Sequence, residues 1–557
     1  MPVRSVVVVG GGTSGILQAI QQAEQGNRVY LVEDGPALAP YGASVGKEAL
    51  SRLRELKDSI RVVTMADLTD LQERDGSFKI KLRKRASRVI DELCDGCDAC
   101  TQACPENIND ARRGGMAWRA AIDTVTPGCD GYNIAKESPP CQDACPVHLD
   151  VRGYVGLAAD GKYRESLALI REILPFPGVI GRICTRPCEP ACNRGLADEP
   201  VAICALKRFV ADWELGQPGG AGATMHLAPK RPSTGKRVAV VGSGPAGLTC
   251  AYELVRFGHD VTVYEALPVS GGMLRVGIPE YRLPRNILDG EIAALEKAGV
   301  KIRTNMALGK DFTLDSLEGE GFNAVFVAIG AHKGQKLGMP GEEGRGVIHG
   351  VEFLRELNLG RKPHVGENVV VVGGGDVAID SARSALRLGA GRVTVVYRRT
   401  RAEMPAQELE IQAALAEGVD IIYLAAPVKV LLAGGRVRGL RCVRMELGAP
   451  DRSGRRAPAP LPGSEFGIEA DMVIPAVGQV VDMVTVGKGG AVKTTGGKLA
   501  ADPVTLANGP EGVFAGGDAV TGPRSAIEAI AAGRQAAESI NRYLKTHPHT
   551  LSPGGRE

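Results

Sequence analysis

Three times along the chain a run of four consecutive apolar residues ends in glycines and gives way to a helical hydrophobic period. The runs are Val6–Val9, Val238–Val241 and Val369–Val372. A short unbroken apolar run next to glycine reads as a buried strand, and apolar spacing of 3.6 residues after it reads as a helix packed on that strand. A second apolar run then returns, at Arg28–Glu33, at Asp260–Glu265 and in the run closing on Val395-Val396-Tyr397. Each block is therefore a strand–turn–helix–strand unit, and three in one chain amount to an internal repeat. A fourth run, Val513-Phe514-Ala515, ends in Gly516-Gly517-Asp518 and leads into a predicted helix over about Arg524–Ile540. Between the first and second blocks the period is lost. Residues 34–90 read as mixed elements, then come cysteine-rich stretches with helical pieces such as Tyr163–Ile173, then a Gly/Pro/Ser-rich linker at 216–235.

The glycine turns add chemistry to this pattern. A G-x-G-x-x-G between strand and helix permits a tight turn and aims backbone amides at a pyrophosphate. The second block meets every requirement: Gly242, Gly244 and Gly247 form the turn, and Glu265 ends the second strand where a carboxylate would accept ribose hydroxyls. Gly517 and Asp518 supply a returning segment whose aspartate can reach the ribityl–phosphate part of FAD, with a helix N-terminus beyond it. The third block has Gly373, Gly375 and Ala378, and its second strand ends in Arg398 and Arg399, with Arg401 behind them. Arginines there accommodate the 2′-phosphate of NADP(H), where an acidic residue would select NAD(H); NAD(H) stays open. The first block carries Gly10, Gly12, Gly15 and Glu33 without a recognisable returning Gly-Asp segment, which leaves a second flavin or a structural remnant as its alternatives.

Cysteine placement changes the picture further. Of 13 cysteines, all but Cys250 and Cys442 fall between Cys94 and Cys204. Disulfides are rare in reducing compartments, so such clustering points to metal or cluster ligation. Cys94, Cys97, Cys100 and Cys104, followed by Pro105, have the spacing of the bacterial ferredoxin run; a zinc site is the competing reading. Cys129, Cys141, Cys145, Cys184, Cys188, Cys192 and Cys204 form a second group of candidate ligands. Two to three [4Fe–4S] clusters follow, while Cys250 and Cys442 read as small buried residues.

Composition excludes more than it adds. A net charge of +3 over 557 residues gives no electrostatic case for nucleic acid. No stretch approaches the roughly 18 apolar residues that span a bilayer, and the N-terminal run is too short for a signal peptide. A cytoplasmic protein without nucleic-acid or membrane partners is expected. No Ser/His/Asp triad or HExxH motif is present, so no catalytic side chain is named.

From about residue 137 to 545 the sequence resembles the small-subunit family of bacterial glutamate synthase, which includes the nicotinamide-binding subunits of NAD(P)H:ferredoxin oxidoreductases. The matching residues include Pro139-Pro-Cys141-Gln-Asp-Ala-Cys145-Pro, Cys188-Glu-Pro-Ala-Cys192, the Gly242–Gly247 turn and Gly271-Gly-Met-Leu-Arg-Val-Gly-Ile-Pro-Glu280. Residues 1–105 resemble the flavin-binding subunit of heterodisulfide reductase, in the Gly10–Gly15 turn, Tyr30–Glu33 and Cys94–Cys104. The resemblance implies that Cys141 and Cys192 serve one cluster and Cys145, Cys184 and Cys188 another, with Gly271–Pro279, including Gly272, beside the flavin. Relatives carry a Gln or Glu ligand where Lys207 stands, and Cys204 is the candidate substitute.

The expected fold is α/β, with tandem Rossmann-like FAD and NAD(P) domains of the disulfide-reductase type. The expected parts are an N-terminal Rossmann-like segment (1–90), a ferredoxin-like segment (91–128), a helical iron–sulfur domain (129–215), the linker, an FAD domain (236–340 with 490–545), an NAD(P) domain (341–489) and a tail (546–557). The function read from this is hydride transfer between NAD(P)H and FAD, with single-electron relay to or from a ferredoxin or a catalytic oxidoreductase subunit of a hetero-oligomeric complex. A glutamate synthase small subunit, a non-catalytic relay and docking subunit, and a bifurcating enzyme with a second flavin are the alternatives.

Overall fold

The computed structural model describes residues 4–33, most of 49–84, short strands within 107–134, and 139–546 apart from 218–230, 452–453 and 491. The chain divides into two compact units, Met1–Ser138 and Pro139–Glu557.

In the first unit, β1 (Ser5–Val9), α1 (Thr13–Glu24), β2 (Arg28–Val32) and β3 (Ile60–Val63) form a parallel sheet in the order β1-β2-β3. α1 lays Ile16, Ala19, Ile20 and Ala23 on the sheet, where Val29 and Leu31 face them. A hairpin of β4 (Ala66–Arg74) and β5 (Ser77–Lys84) follows.

The second unit begins with helices α2 (Val151–Ala159), α3 (Tyr163–Arg171), α4 (Pro177–Ile183) and α5 (Ile203–Leu215). Next come β6 (Arg237–Val241), α6 (Pro245–Arg256), β7 (Asp260–Tyr264), α7 (Arg285–Ala298), β8 (Lys301–Arg303) and β9 (Ala324–Val327). A second set comprises α8 (Gly350–Asn358), β10 (Asn368–Val372), α9 (Asp376–Arg387), β11 (Arg392–Tyr397), α10 (Glu408–Ala416), β12 (Asp420–Tyr423), the antiparallel pair β13 (Ala425–Ala433) and β14 (Arg436–Pro450), and β15 (Met472–Pro475). The chain returns with β16 (Val513–Ala515) and α11 (Ala526–Thr546).

Two parallel sheets organise these elements, β8-β7-β6-β9-β16 and β12-β11-β10-β15. Both central strands, β6 and β10, are buried on both faces, which is why they read as unbroken valine runs rather than as alternation. The late return of β16 beside β9 brings Val513–Ala515 into the first sheet, although the second sheet's sequence lies between. α11 crosses α6 so closely that a Cβ on Gly533 would lie 2.3 Å from the Ala246 carbonyl oxygen. The four helices before the linker share one core with the first sheet: Val179, Ile180 and Ile183 of α4 join Ile287 and Leu288 of α7 in it. The structured helix around residue 163 ends at Arg171, and the C-terminal helix runs Ala526–Thr546, six residues beyond the expected end.

Candidate functional site

β6 delivers the chain to Gly242 at φ +106, and a Cβ there would sit 2.4 Å from the Ala328 carbonyl oxygen. Only glycine fits this turn. Gly244 then caps α6 in extended conformation, with Pro245 at the first helical position, where its fixed φ suits the helix and its missing N–H is not needed. Nothing lies within 4 Å of the place a Gly244 side chain would occupy. Gly247 is the opposite case: a Cβ there would come within 2.0 Å of the Gly242 carbonyl oxygen, so helix and turn are in backbone contact. The result is an open space facing free amides at the positive end of α6, suited to a pyrophosphate.

The carboxylate at the end of β7 is anchored at that space. Glu265, 6% exposed, accepts from the Ser243 amide at 3.0 Å, the Ser243 hydroxyl at 2.5 Å and the Leu267 amide at 2.8 Å. Gly272 brings its backbone against Gly244 from the segment before α7, and Gly517 leads into Asp518 from the returning strand. Burial pushes the Asp518 carboxyl up to about 6, and the Arg524 amide donates to it at 3.1 Å. These groups wall one cavity of about 390 Å³. Its far wall is Asp376, Val377 and Asp380 of α9, and Ile183 and Thr185, the two neighbours of Cys184, close another side. His332, whose pKa burial lowers, lines it as well. No sequence motif marks His332; only its position after β9 could have drawn attention to it.

The third block repeats the turn. Gly373 takes φ +145 with Ala476 carbonyl oxygen 2.3 Å from an added Cβ, and Gly375 caps α9 with only Pro405 Cγ, at 3.8 Å, near its would-be side chain. Ala378, fully buried, occupies the helix-packing position. The structure divides the arginine pair after β11. Arg399 is 2% exposed, with Nε donating to the Arg456 carbonyl oxygen at 2.7 Å and Nη2 to Asp451 at 2.6 Å. Arg398 is exposed. Arg401 pairs with Glu408. Arg398 is thus the outward-facing arginine at this strand end, while Arg399 is held against Asp451 and the Arg456 carbonyl at the end of β14.

In the first unit, Gly10 has φ +107, Gly12 caps α1 facing open space, and a Cβ on Gly15 would overlap the Gly10 carbonyl oxygen at 1.8 Å. Glu33, 5% exposed, accepts from the Gly11 amide at 2.5 Å. The turn geometry therefore matches that of the second block, down to the glutamate tied to the residue after the first glycine.

Cys141, Cys145, Cys184, Cys188 and Cys204 are buried thiols and Cys192 is half-buried. They fall into two sets. Cys141, its pKa raised by burial, feels Cys192. Burial raises the pKa of the Tyr154 hydroxyl, and the charges of Cys188, Cys204, Cys145 and Cys184 raise it further. Cys204 Sγ donates to the Ile180 and Gly181 carbonyl oxygens at 3.4 and 3.5 Å, just before Cys184; the nearby Cys204 thiol lowers the Cys184 pKa, and Cys184 together with burial raises that of Cys204. Lys207, one turn along α5 from Cys204 and 4% exposed, adds a positive charge that lowers the pKa of Cys184, Cys188 and Cys204 after those larger effects. Among the described residues no three His, Cys, Asp or Glu side chains gather around a single ion position. A cubane, whose thiolates attach to different irons, does not need them to, and four buried thiols are the donor set it takes. Cys250, within α6, and Cys442, within β14, are fully buried. Cys94, Cys97, Cys100, Cys104 and Cys129 lie outside the described residues.

Two parallel nucleotide-binding sheets around a shared cavity, joined to a helical domain of buried thiols, define a pyridine-nucleotide flavoprotein with an iron–sulfur module. Residues 236–533 match the family model for pyridine nucleotide-disulphide oxidoreductases, residues 5–87 match a second model of the same description, and residues 134–218 match dihydropyrimidine dehydrogenase domain II, 4Fe-4S cluster. The chain belongs to the pyridine nucleotide-disulphide oxidoreductase family. It is 49% identical, over 85% of its length, to the NADP(+)-dependent formate dehydrogenase subunit beta of Moorella thermoacetica, covering 72% of that protein. It is 43% identical, over 74% of its length, to the NADPH-Fe(3+) oxidoreductase subunit beta of Geobacter sulfurreducens, covering 64% of it. With the glutamate synthase [NADPH] small chain of Escherichia coli it shares 34% identity over 73% of its length and 89% of that chain. All three are named as parts of larger enzymes. The protein is an FAD- and NAD(P)-dependent oxidoreductase carrying [4Fe–4S] clusters. Among the described residues no helix is long and apolar enough to cross a membrane.

Proposed function

We propose that this chain is the nicotinamide-handling subunit of a cytoplasmic hetero-oligomeric oxidoreductase, exchanging electrons between NADPH and a ferredoxin or a catalytic partner subunit. One observation carries the reading: the cavity that begins at the Gly242–Gly244 turn also reaches the first turn of α9 and the two neighbours of Cys184. The Gly242 turn, the start of α9 and the two residues flanking Cys184 thus wall one cavity. FAD bound there supplies hydride exchange with a nicotinamide and one-electron exchange with iron–sulfur clusters.

The chain's own residues bind and orient. The amides at the start of α6 and Glu265 hold the adenosine diphosphate part, and Asp518 receives the ribityl–phosphate part. The amides after Gly373 hold the nicotinamide dinucleotide, with Arg398 on its 2′-phosphate. Cys145, Cys184, Cys188 and Cys204 hold the cubane nearest the flavin, and Cys141 with Cys192 contributes to the next. The NADP(+)- and NADPH-linked relatives support NADPH as the coenzyme.

Purified anaerobically, the protein should release FAD on denaturation and contain roughly 8–12 iron atoms per chain, from two to three cubanes. NADPH should bleach the flavin absorbance. Iron near zero with stoichiometric zinc, or a flavin that NADPH leaves oxidised, would overturn the reading.

A further inference from the structure

The segment between the flavin cavity and α7, Pro279–Pro284, reaches across to the nucleotide-binding half. Tyr281 places its ring under the guanidinium groups of Arg383 and Arg387, at 4.5 and 4.1 Å, and its hydroxyl 3.5 Å from Asp380. Arg282 goes further in, with its side chain 8% exposed. It meets Asp380 at 2.6 Å, Glu410 at 3.2 Å and Asp376 at 3.8 Å. Asp376 and Asp380 stand one turn apart at the start of α9, and Arg282 and both aspartates line the cavity.

This arrangement poses an electrostatic problem. An acidic residue in the first turn suits an isolated helix, but it repels an anionic ligand at the same end. The nicotinamide dinucleotide would place its pyrophosphate beside Asp376, in front of Gly375. Arg383 compensates part of the local negative charge, but it is engaged by Glu410 and Glu417. Arg282 is in contact with all three of Asp376, Asp380 and Glu410, and it comes from the segment beside the first sheet of the second unit.

We propose that Arg282 is a positioning residue for the nicotinamide nucleotide, neutralising from the flavin half the carboxylates at the α9 N-terminus so that this end of the helix accepts a pyrophosphate. The proposal rests on the assignment of the Gly373–Ala378 turn to NAD(P) and makes nucleotide affinity depend on the docking of the two halves.

The test is equilibrium titration with NADP+, which binds without turnover, followed through the flavin absorbance. R282M should retain FAD and bind NADP+ roughly tenfold more weakly. R282K should stay near the parent. D376N in the R282M background should recover most of the lost affinity, and D376N alone should bind NADP+ more tightly than the parent. Parent-like affinity in R282M, or a loss that D376N does not relieve, would overturn the proposal in favour of a purely structural bridge. If R282M fails to retain FAD, D376N alone decides: tighter binding supports the role and unchanged binding refutes it. A parent that binds neither NADP+ nor NAD+ would instead refute the nucleotide site itself, and the role of Arg282 with it.

Discussion

Arg398 and Arg399 are adjacent in sequence but have different physical tasks. Arg399 has its donors on Asp451 and the Arg456 carbonyl, under cover of the fold, whereas Arg398 faces outward at the strand end. Arg398→Gln should therefore raise KM for NADPH by about tenfold while changing that for NADH much less, because a charge-assisted bond to phosphate is lost. Arg399→Met should lower the melting temperature, with a cost on the order of 1–3 kcal/mol since Asp451 remains partly solvated. Steady-state kinetics with both coenzymes and thermal unfolding separate the two; equal loss for NADH and NADPH in the Arg398 variant would count against a 2′-phosphate contact. The same logic applies to cysteine. Cys204→Ala should remove about four iron atoms per chain, and Cys250→Ala none, because Cys204 packs on the Ile180 and Gly181 carbonyls that lead into Cys184 while Cys250 sits within helix α6. Iron and flavin analysis of both variants checks this.

At the scale of elements, α4 links Cys184 to helix α7 beside the first sheet. It ends at Ile183, directly before Cys184, and its N-terminal amides at Gly178 and Val179 donate to Glu291 of α7 at 2.6 and 3.0 Å. Burial pushes the Glu291 carboxyl up to about 7. The sign is then fixed. The folded state holds the proton more tightly than the unfolded chain, so this group favours folding below the ordinary glutamate range and loses that contribution as pH rises through about 7. Glu291→Gln keeps an acceptor and removes the titration. Its melting temperature relative to the parent should therefore improve from pH 5 to pH 8, by the equivalent of roughly 2–3 kcal/mol. An offset that is the same at both pH values would show that Glu291 is ionised throughout.

At the scale of the whole molecule, the second unit contains both nucleotide turns and the Cys184 set, and should carry out NADPH-to-dye electron transfer through the flavin. If a protein partner docks near a cluster on the Cys94–Cys104 segment, a Cys97→Ser/Cys100→Ser variant should keep dye reduction, since dyes can take electrons at the flavin, and lose most partner-linked turnover. Surviving partner-linked activity with that cluster absent would place electron exit at the Cys141–Cys192 region. Collapse of dye reduction with FAD still bound would mean that the two regions are coupled more tightly.

The local elements were legible because their causes are local. A valine run buried on both faces, a glycine at a turn no side chain can enter and a helix starting on free amides are all written in consecutive residues, and the three turns at Gly10, Gly242 and Gly373 repeat one geometry. The cysteine spacing likewise carried the iron–sulfur reading. What needed the tertiary structure were relations between distant residues. That Arg399 is tied to Asp451 depends on a residue 52 positions away, and that Cys204 reaches the Ile180 and Gly181 carbonyls before Cys184 depends on α5 packing against α4. The Arg282–Asp380 contact spans 98 positions and two sheets. Sequence determined which groups could do the chemistry, through short-range backbone sterics and hydrophobic period. Only packing decided which charges meet and which stay free, because a charge's partner is set by where its helix or strand is buried.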